Sequence, residues 1–205
     1  MIDFTLYIAN CCGDSSNCVY PNKAHITDTA SFVTAIKQDH VCAAYKNNYR
    51  SNDNFLETDV LPMDCDNDHS DDPKDWIYPL DVVMAFPDVS LLVSYSRNNM
   101  KVKNGKAARP KFHVYFPIPT MTDGKAYAEL KKRIQEFFPY FDADALGEDR
   151  FLYGTDSPDI EVYDGASNVA DFIDHDEFTD FDASTEEISE GSRNSTMSHI
   201  AGKLI

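Results

Sequence analysis

The sequence predicts an α+β domain, with α/β as the neighbouring class, on three observations. Strand-like and helix-like segments alternate along the chain without an internal repeat. Two strand-like runs near the middle are joined by a polar, hairpin-like loop. The 205 residues, 42% hydrophobic and 12% aromatic, can bury one sizeable core. The same figures exclude a chain disordered throughout, a fibrous repeat and a knottin-like scaffold. Apolar runs such as Val89 to Val93 fall far short of the roughly 20 residues of a membrane span, so no membrane association is expected. Asp3 stands where a secretory signal carries basic residues. Five cysteines (Cys11, Cys12, Cys18, Cys42, Cys65) are an odd number, which favours reduced thiols in a cytoplasm and no disulfides.

Element by element, Asp3 to Ile8 reads as a strand, followed by a Gly, Ser, Asn and Cys-rich loop to about Lys23. Thr27 or Asp28 caps a helix through about Gln38, with Phe32, Val33 and Ile36 as its apolar stripe. Val41 to Tyr45 and Val60 to Asp66 are short strands, and Pro79 opens a helix through Phe86. Val89 to Tyr95 is the clearest strand by β-branched and aromatic content. Gly105 and Pro110 mark Arg97 to Pro110 as the loop, after which Phe112 to Ile118 returns to strand. Thr122 caps a helix through Phe138, stopped by Pro139, with Tyr127, Leu130 and Ile134 on one face. Phe151 to Tyr153 is a last short strand. Val169 to Glu190 sets Phe172, Ile173, Phe178 and Phe181 among acids and reads as a solvent-facing stretch that docks only in part. Gly191 to Ile205 regains a helical pattern without closing a domain, so the chain is expected to be part of something longer.

Eighteen basic and 35 acidic residues give a net charge of −17, but the charges are not spread evenly. Residues 1 to 96 hold 5 basic and 15 acidic side chains, 97 to 133 hold 10 and 2, and 134 to 190 hold 1 and 18. A basic block between two acidic ones is either a solvated surface or a local site for phosphates.

Asp64 and Asp66 lie two apart at the expected end of a strand, where period-two geometry sends both carboxylates to one face. Hard oxygen ligands so placed suit Mg²⁺ or Mn²⁺, which keep waters and are completed by substrate phosphates. The run D-C-D-N-D-H is no calcium loop, because His69 takes the sixth position where glycine is needed and no glutamate takes the twelfth. His113 alternates with Phe112, Val114 and Phe116, so it faces away from the core these three enter. Arg109 and Lys111 share its parity, and Lys101, Lys103 and Lys106 lie upstream, a set suited to a triphosphate. Asp142 and Asp144 are candidates for a third metal-binding carboxylate. Tyr95 and Tyr115 lie near enough to stack on bases, although core packing is the more ordinary use of each. The cysteines show no C-x-x-C pair for zinc, and no G-x-S-x-G, Walker A or dinucleotide motif is present.

In order, P-M-D-C-D-N-D-H-S-D (Pro62 to Asp71), R-P-K-F-H-V-Y-F-P-I (Arg109 to Ile118) and F-D-A-D-A-L-G-E-D-R-F-L-Y-G (Phe141 to Gly154) resemble the phage and plasmid primase-polymerase branch of the archaeo-eukaryotic primase superfamily. That superfamily is defined by hydrophobic-Asp-x-Asp/Glu, small-x-His on a strand, and hydrophobic-Asp. The matching residues are Met63-Asp64-Cys65-Asp66, Lys111-Phe112-His113 and Phe141-Asp142, with Lys111 departing from the small residue. The resemblance spans roughly Ala24 to Gly154 and narrows the fold to an α+β, RRM-like core, a mixed or antiparallel sheet with flanking helices. It implies a DNA primase-polymerase serving phage or plasmid replication in a bacterial cell or phage-infected host. Asp64, Asp66 and Asp142 would hold two Mg²⁺ or Mn²⁺ ions about 3.5–4 Å apart, His113 would bind the incoming nucleoside triphosphate, and Arg109 and Lys111 would help to neutralise it. A neutral imidazole has one N–H to offer a phosphate oxygen. Single-stranded DNA is the implied template. A two-metal phosphodiesterase or nuclease, or an inactive nucleic-acid-binding module, are the alternatives. The catalytic domain would run over 1–165 and an acidic linker over 166–190. Residues 191–205, where G-S-R-N-S-T-M-S resembles the opening of a primase C-terminal helical domain, would precede a helicase module.

Overall fold

The structure is a computed structural model and describes residues 2–102 and 105–175. Phe178, Phe181 and the helical expectation for Gly191 to Ile205 lie outside the described residues. Among the described residues, nine strands form two sheets. The larger has the order β4 (Ala43–Tyr45), β5 (Phe55–Cys65), β7 (Phe112–Met121), β6 (Leu91–Tyr95), β9 (Ile160–Tyr163). The smaller has the order β2 (Asn22–Ile26), β1 (Phe4–Ile8), β3 (His40–Val41), β8 (Phe151–Leu152). Every strand pair is antiparallel, so the α+β expectation holds in its antiparallel form.

The strand expected over Val41 to Tyr45 is two. His40–Val41 pairs with β1 and β8, the chain bends at buried Cys42, and Ala43–Tyr45 pairs with β5. This switch ties the sheets together. Periodicity missed β2 and β9, both edge strands and neither fully buried along its length, because an edge strand needs no strong apolar alternation. It also missed the start of β5, where Glu57, Thr58 and Asp59 interrupt the apolar pattern and the register shifts between Thr58 and Val60.

Helices flank the sheets. α1 (Thr29–Ala35) starts at Asp28, whose carboxylate accepts from the Ser31 amide while the Ser31 hydroxyl accepts from the Asp28 amide. It ends earlier than the expected Gln38. α2 (Pro79–Ala85) begins on its proline. α3 (Gly124–Phe137) is capped by Asp123 rather than by Thr122, because its Oδ1 accepts from both the Lys125 and Ala126 amides.

Strand parity divides the interior. From β5, β6 and β7, the side chains of Leu61, Met63, Leu91, Val93, Phe112, Val114 and Phe116 join Tyr127, Leu130 and Ile134 of α3 and Val82 of α2 in one core. Val60, Leu92 and Tyr115, on the opposite face, meet Phe4, Leu6, Phe32, Ile36 and Leu152 of the smaller layer. The larger sheet is thus covered on both faces at its centre. The first part of the acidic stretch docks: residues 169–175 are helical, Val169 and Ile173 are buried, and Phe172 packs on Phe86 and Phe137. All five cysteines are free thiols.

His40 joins the layers. It is fully buried, its Nδ1–H donates to the Gln38 carbonyl (3.0 Å), and its Nε2 accepts from the Tyr115 hydroxyl (2.8 Å). Burial disfavours the charged ring and pushes its pKa from 6.5 down to about 4. The unfolded chain therefore binds the proton first, and stability is lost as pH falls through 6.5 toward 4. The expected loss is about 3 kcal/mol over that window. Urea titrations at pH 7, 5.5 and 4.5 measure it, and His40→Gln should flatten this part of the profile.

Candidate active site

β5 and β7 pair in a register that sets Asp64 directly opposite His113. Both side chains lie on the face away from the helix-side core, as the alternation of β7 predicts. His113 Nδ1–H donates to Asp64 Oδ1 at 2.9 Å, and Arg150 Nη2 donates to Asp64 Oδ2. Asp64 is 3% exposed. Burial would raise its carboxyl pKa, but the His113 charge and hydrogen bond, with Arg150 and the more distant Lys131, hold it well below the usual carboxylate range. Asp64 is ionised at any physiological pH.

Asp66 emerges one step beyond β5 and pairs with Lys111 Nζ at 3.0 Å. Lys111 also reaches Asp68 at 3.6 Å, and Lys106 reaches Asp68 at 3.1 Å. Arg109 is 1% exposed and committed to protein acceptors. Its Nη1 donates to the carbonyls of Asn67 (2.8 Å) and Ser70 (3.1 Å), and its Nη2 to Asp71 (2.6 Å). The loop after β5 is further fixed by Asn67, which adopts φ 53° and bonds to the backbone of Ile77 and Pro110. Arg109 thus shapes the acidic loop, a use that motif spacing does not reveal.

The third element is joined through the backbone, since the Asp142 amide donates to the Asp64 carbonyl at 2.8 Å. Asp142 Oδ1 accepts from the Asp144 amide at 2.9 Å, capping the turn at Ala143–Ala145. Asp66 and Asp68 stand between two cavities. One of about 160 Å³ is lined by Lys101, Lys106, Arg109 and Lys111. The other, about 280 Å³, is lined by Asp142, Asp144, His69 and Tyr140 among others. Tyr115 is fully buried against His40, and Tyr95 donates to Glu161, so both serve the interior and the sheet. Lys103 is outside the described residues.

Two cations escaped the sequence reading. Lys131 is fully buried and donates to the Ala145 and Gly147 carbonyls (2.7 and 3.4 Å), which fixes the turn carrying Asp142. Burial pushes its pKa down to about 8 against the pull of Asp64. Its signal was available: it lies four residues after Tyr127, next to the apolar stripe of α3. Arg150 had a signal too, being the one basic residue in the run 134–190 with its 18 acids.

Among the described residues, no three Asp, Glu, His or Cys side chains form a ready coordination shell. The donor chemistry nevertheless fits a hard divalent cation. Asp64 and Asp66 lie two residues apart at one strand end, Asp64 is held ionised, and Asp66 and Asp142 line one cavity. Asp64 and Asp66 are neutralised here by side-chain cations.

No protein-family model matches the chain, and no curated protein does. Among solved structures, the AEP domain of the primase-polymerase (PrimPol) of cyanophage S-2L is similar, with 16% identity and a TM-score of 0.43, covering 80% of this chain and 86% of that chain.

The two basic residues beside the acidic loop differ in what they support. Arg109→Met should lower stability by about 3 kcal/mol, because it removes a buried guanidinium and leaves the Asn67 and Ser70 carbonyls without their donor. Lys111→Met, whose partners Asp66 and Asp68 reach water, should cost under about 1 kcal/mol. Chemical denaturation of the two variants checks the contrast, and equal losses would contradict it.

Proposed function

We propose that this chain is a metal-dependent nucleotidyltransferase of the primase-polymerase kind, which extends strands on a single-stranded DNA template from nucleoside triphosphates. The carrying observation is the meeting of three short elements far apart in the chain: Asp64 faces His113 across β5 and β7, and Asp142 hangs from the Asp64 carbonyl. These are the elements whose order resembles the archaeo-eukaryotic primase superfamily. Lys101, Lys106 and Lys111 around a cavity of about 160 Å³ supply a phosphate-binding surface in a protein otherwise acidic.

Asp64, Asp66 and Asp142 are the ligands proposed for Mg²⁺ or Mn²⁺, which when bound lowers the pKa of an attacking 3′-hydroxyl and stabilises the departing pyrophosphate. The protein's own groups orient and neutralise. His113 has its Nδ1–H on Asp64, so its Nε2 donates to a phosphate oxygen only in the imidazolium form, whose charge Asp64 balances. Lys131 keeps Asp142 in place by holding the turn that follows it.

The test is incorporation of labelled nucleotide on a single-stranded template with Mg²⁺ or Mn²⁺. Wild type should give product ladders. Asp66→Ala, at an exposed carboxylate, and Asp64→Asn, which keeps the shape of a buried one, should each reduce incorporation by about a hundredfold or more while the folded circular dichroism spectrum persists. Template shortening without incorporation would assign the site to hydrolysis instead, and undiminished activity in both variants would overturn the metal assignment.

A further inference from the structure

Arg150 reaches Asp64 from the other layer. It immediately precedes β8, whose pairing with β3 belongs to the smaller sheet, and its guanidinium crosses to a carboxylate on the larger one. The backbone leading to it is fixed at four points. The Asp142 amide bonds to the Asp64 carbonyl, Lys131 to the Ala145 carbonyl, the Tyr45 hydroxyl to the Glu148 carbonyl (2.6 Å), and Arg50 to the Asp149 carbonyl (2.9 Å). What can move is therefore the side chain.

The other cations of the site are committed differently. Arg109 and Lys131 donate to backbone carbonyls that stay where they are, and Lys111 bridges two carboxylates. Arg150 donates to Asp64, its Nε is buried without a partner, and its side chain is 34% exposed. A buried carboxylate needs a counter-charge at all times. A divalent cation and a guanidinium seek the same oxygen and repel each other, so the arrival of one favours the departure of the other.

The geometry points to Arg150 as an exchangeable counter-charge. It holds the cation position on Asp64 in the ion-free protein, and when a divalent ion takes that carboxylate the released guanidinium binds the triphosphate of the nucleotide. This rests on the reading of Asp64 as an ion ligand. The planar fork of arginine suits phosphate oxygens as well as it suits a carboxylate, so the side chain exchanges one partner for another of the same geometry. No bond is made or broken in the exchange.

Calorimetry on the full 205-residue chain tests it, with Mn²⁺ alone and then with dATP in saturating Mn²⁺. Arg150→Met should bind Mn²⁺ about tenfold more tightly than wild type and dATP about tenfold more weakly, the size expected when two ligands share one competing charge. Asp64→Asn introduced into Arg150→Met should remove the gain in Mn²⁺ affinity. If Arg150→Met does not fold, Arg150→Lys, which keeps the charge but loses the fork, should weaken dATP binding by a smaller factor. Unchanged dATP affinity in that variant counts against the proposal. Mn²⁺ affinity in Arg150→Met equal to or below wild type overturns the exchange. The same wild-type Mn²⁺ affinity with and without Asp64→Asn would instead overturn the ion-ligand reading beneath it.

Discussion

A carboxylate taken out of water must be matched by charge and hydrogen bonds, and Asp64 is matched from two directions at once. His113 approaches along the β5–β7 ladder and Arg150 from the smaller sheet. The requirement fixes several other features. The β5–β7 register must be kept, since a slip of one residue would send Asp64 into the helix-side core and turn Met63 and Cys65 out of it. The 142–150 segment must be anchored closely enough to deliver Arg150, which accounts for a fully buried lysine and two carbonyl contacts from Tyr45 and Arg50.

The two-layer arrangement explains how a polar cluster is held beside a dry interior. Along β7, Tyr115 and His113 point to the same face two residues apart, yet Tyr115 is enclosed by Phe32 and His40 while His113 keeps partial exposure. The smaller sheet covers one end of the larger sheet's second face and leaves the other end polar. Gly154, just beyond β8, accepts no side chain, because a Cβ there would lie 2.4 Å from the Lys37 carbonyl oxygen. The buried carboxylate of Asp39 accepts from its amide and from the amides of Gly13 and Asp14, so the loop after β1 and the strand that follows Arg150 share one anchor.

What the sequence disclosed follows from what local patterns can encode. Period-two alternation set the facing of Phe112 to Phe116 and hence of His113, and a proline placed the start of α2. The spacing of Asp64 and Asp66 put both on one strand end. Patterns fail where the deciding partner is remote. Cys42 gives no sign that the chain changes sheets there, Asn22–Ile26 lacks the alternation of a half-buried strand, and Arg109 reads as a phosphate ligand until the Asn67 and Ser70 carbonyls are seen to occupy it. Arg150 is the sharper case, since its isolation among acids was countable but its partner lies 86 residues away.

The charge balance of the cluster bears on how an acidic protein handles a polyanion. Four cations, Lys106, Arg109, Lys111 and Arg150, are paired with four carboxylates, Asp64, Asp66, Asp68 and Asp71. The cluster is neutral as it stands, and the acidic remainder of the chain repels phosphates at longer range. Under the proposed function, a triphosphate approaching alone finds no net positive charge. Divalent ions change this by neutralising the carboxylates and leaving the cations beside them without their partners. On that proposal, the pairing of lysine and arginine with aspartate would make nucleotide binding conditional on the ion, and the negative total of the chain would strengthen that condition.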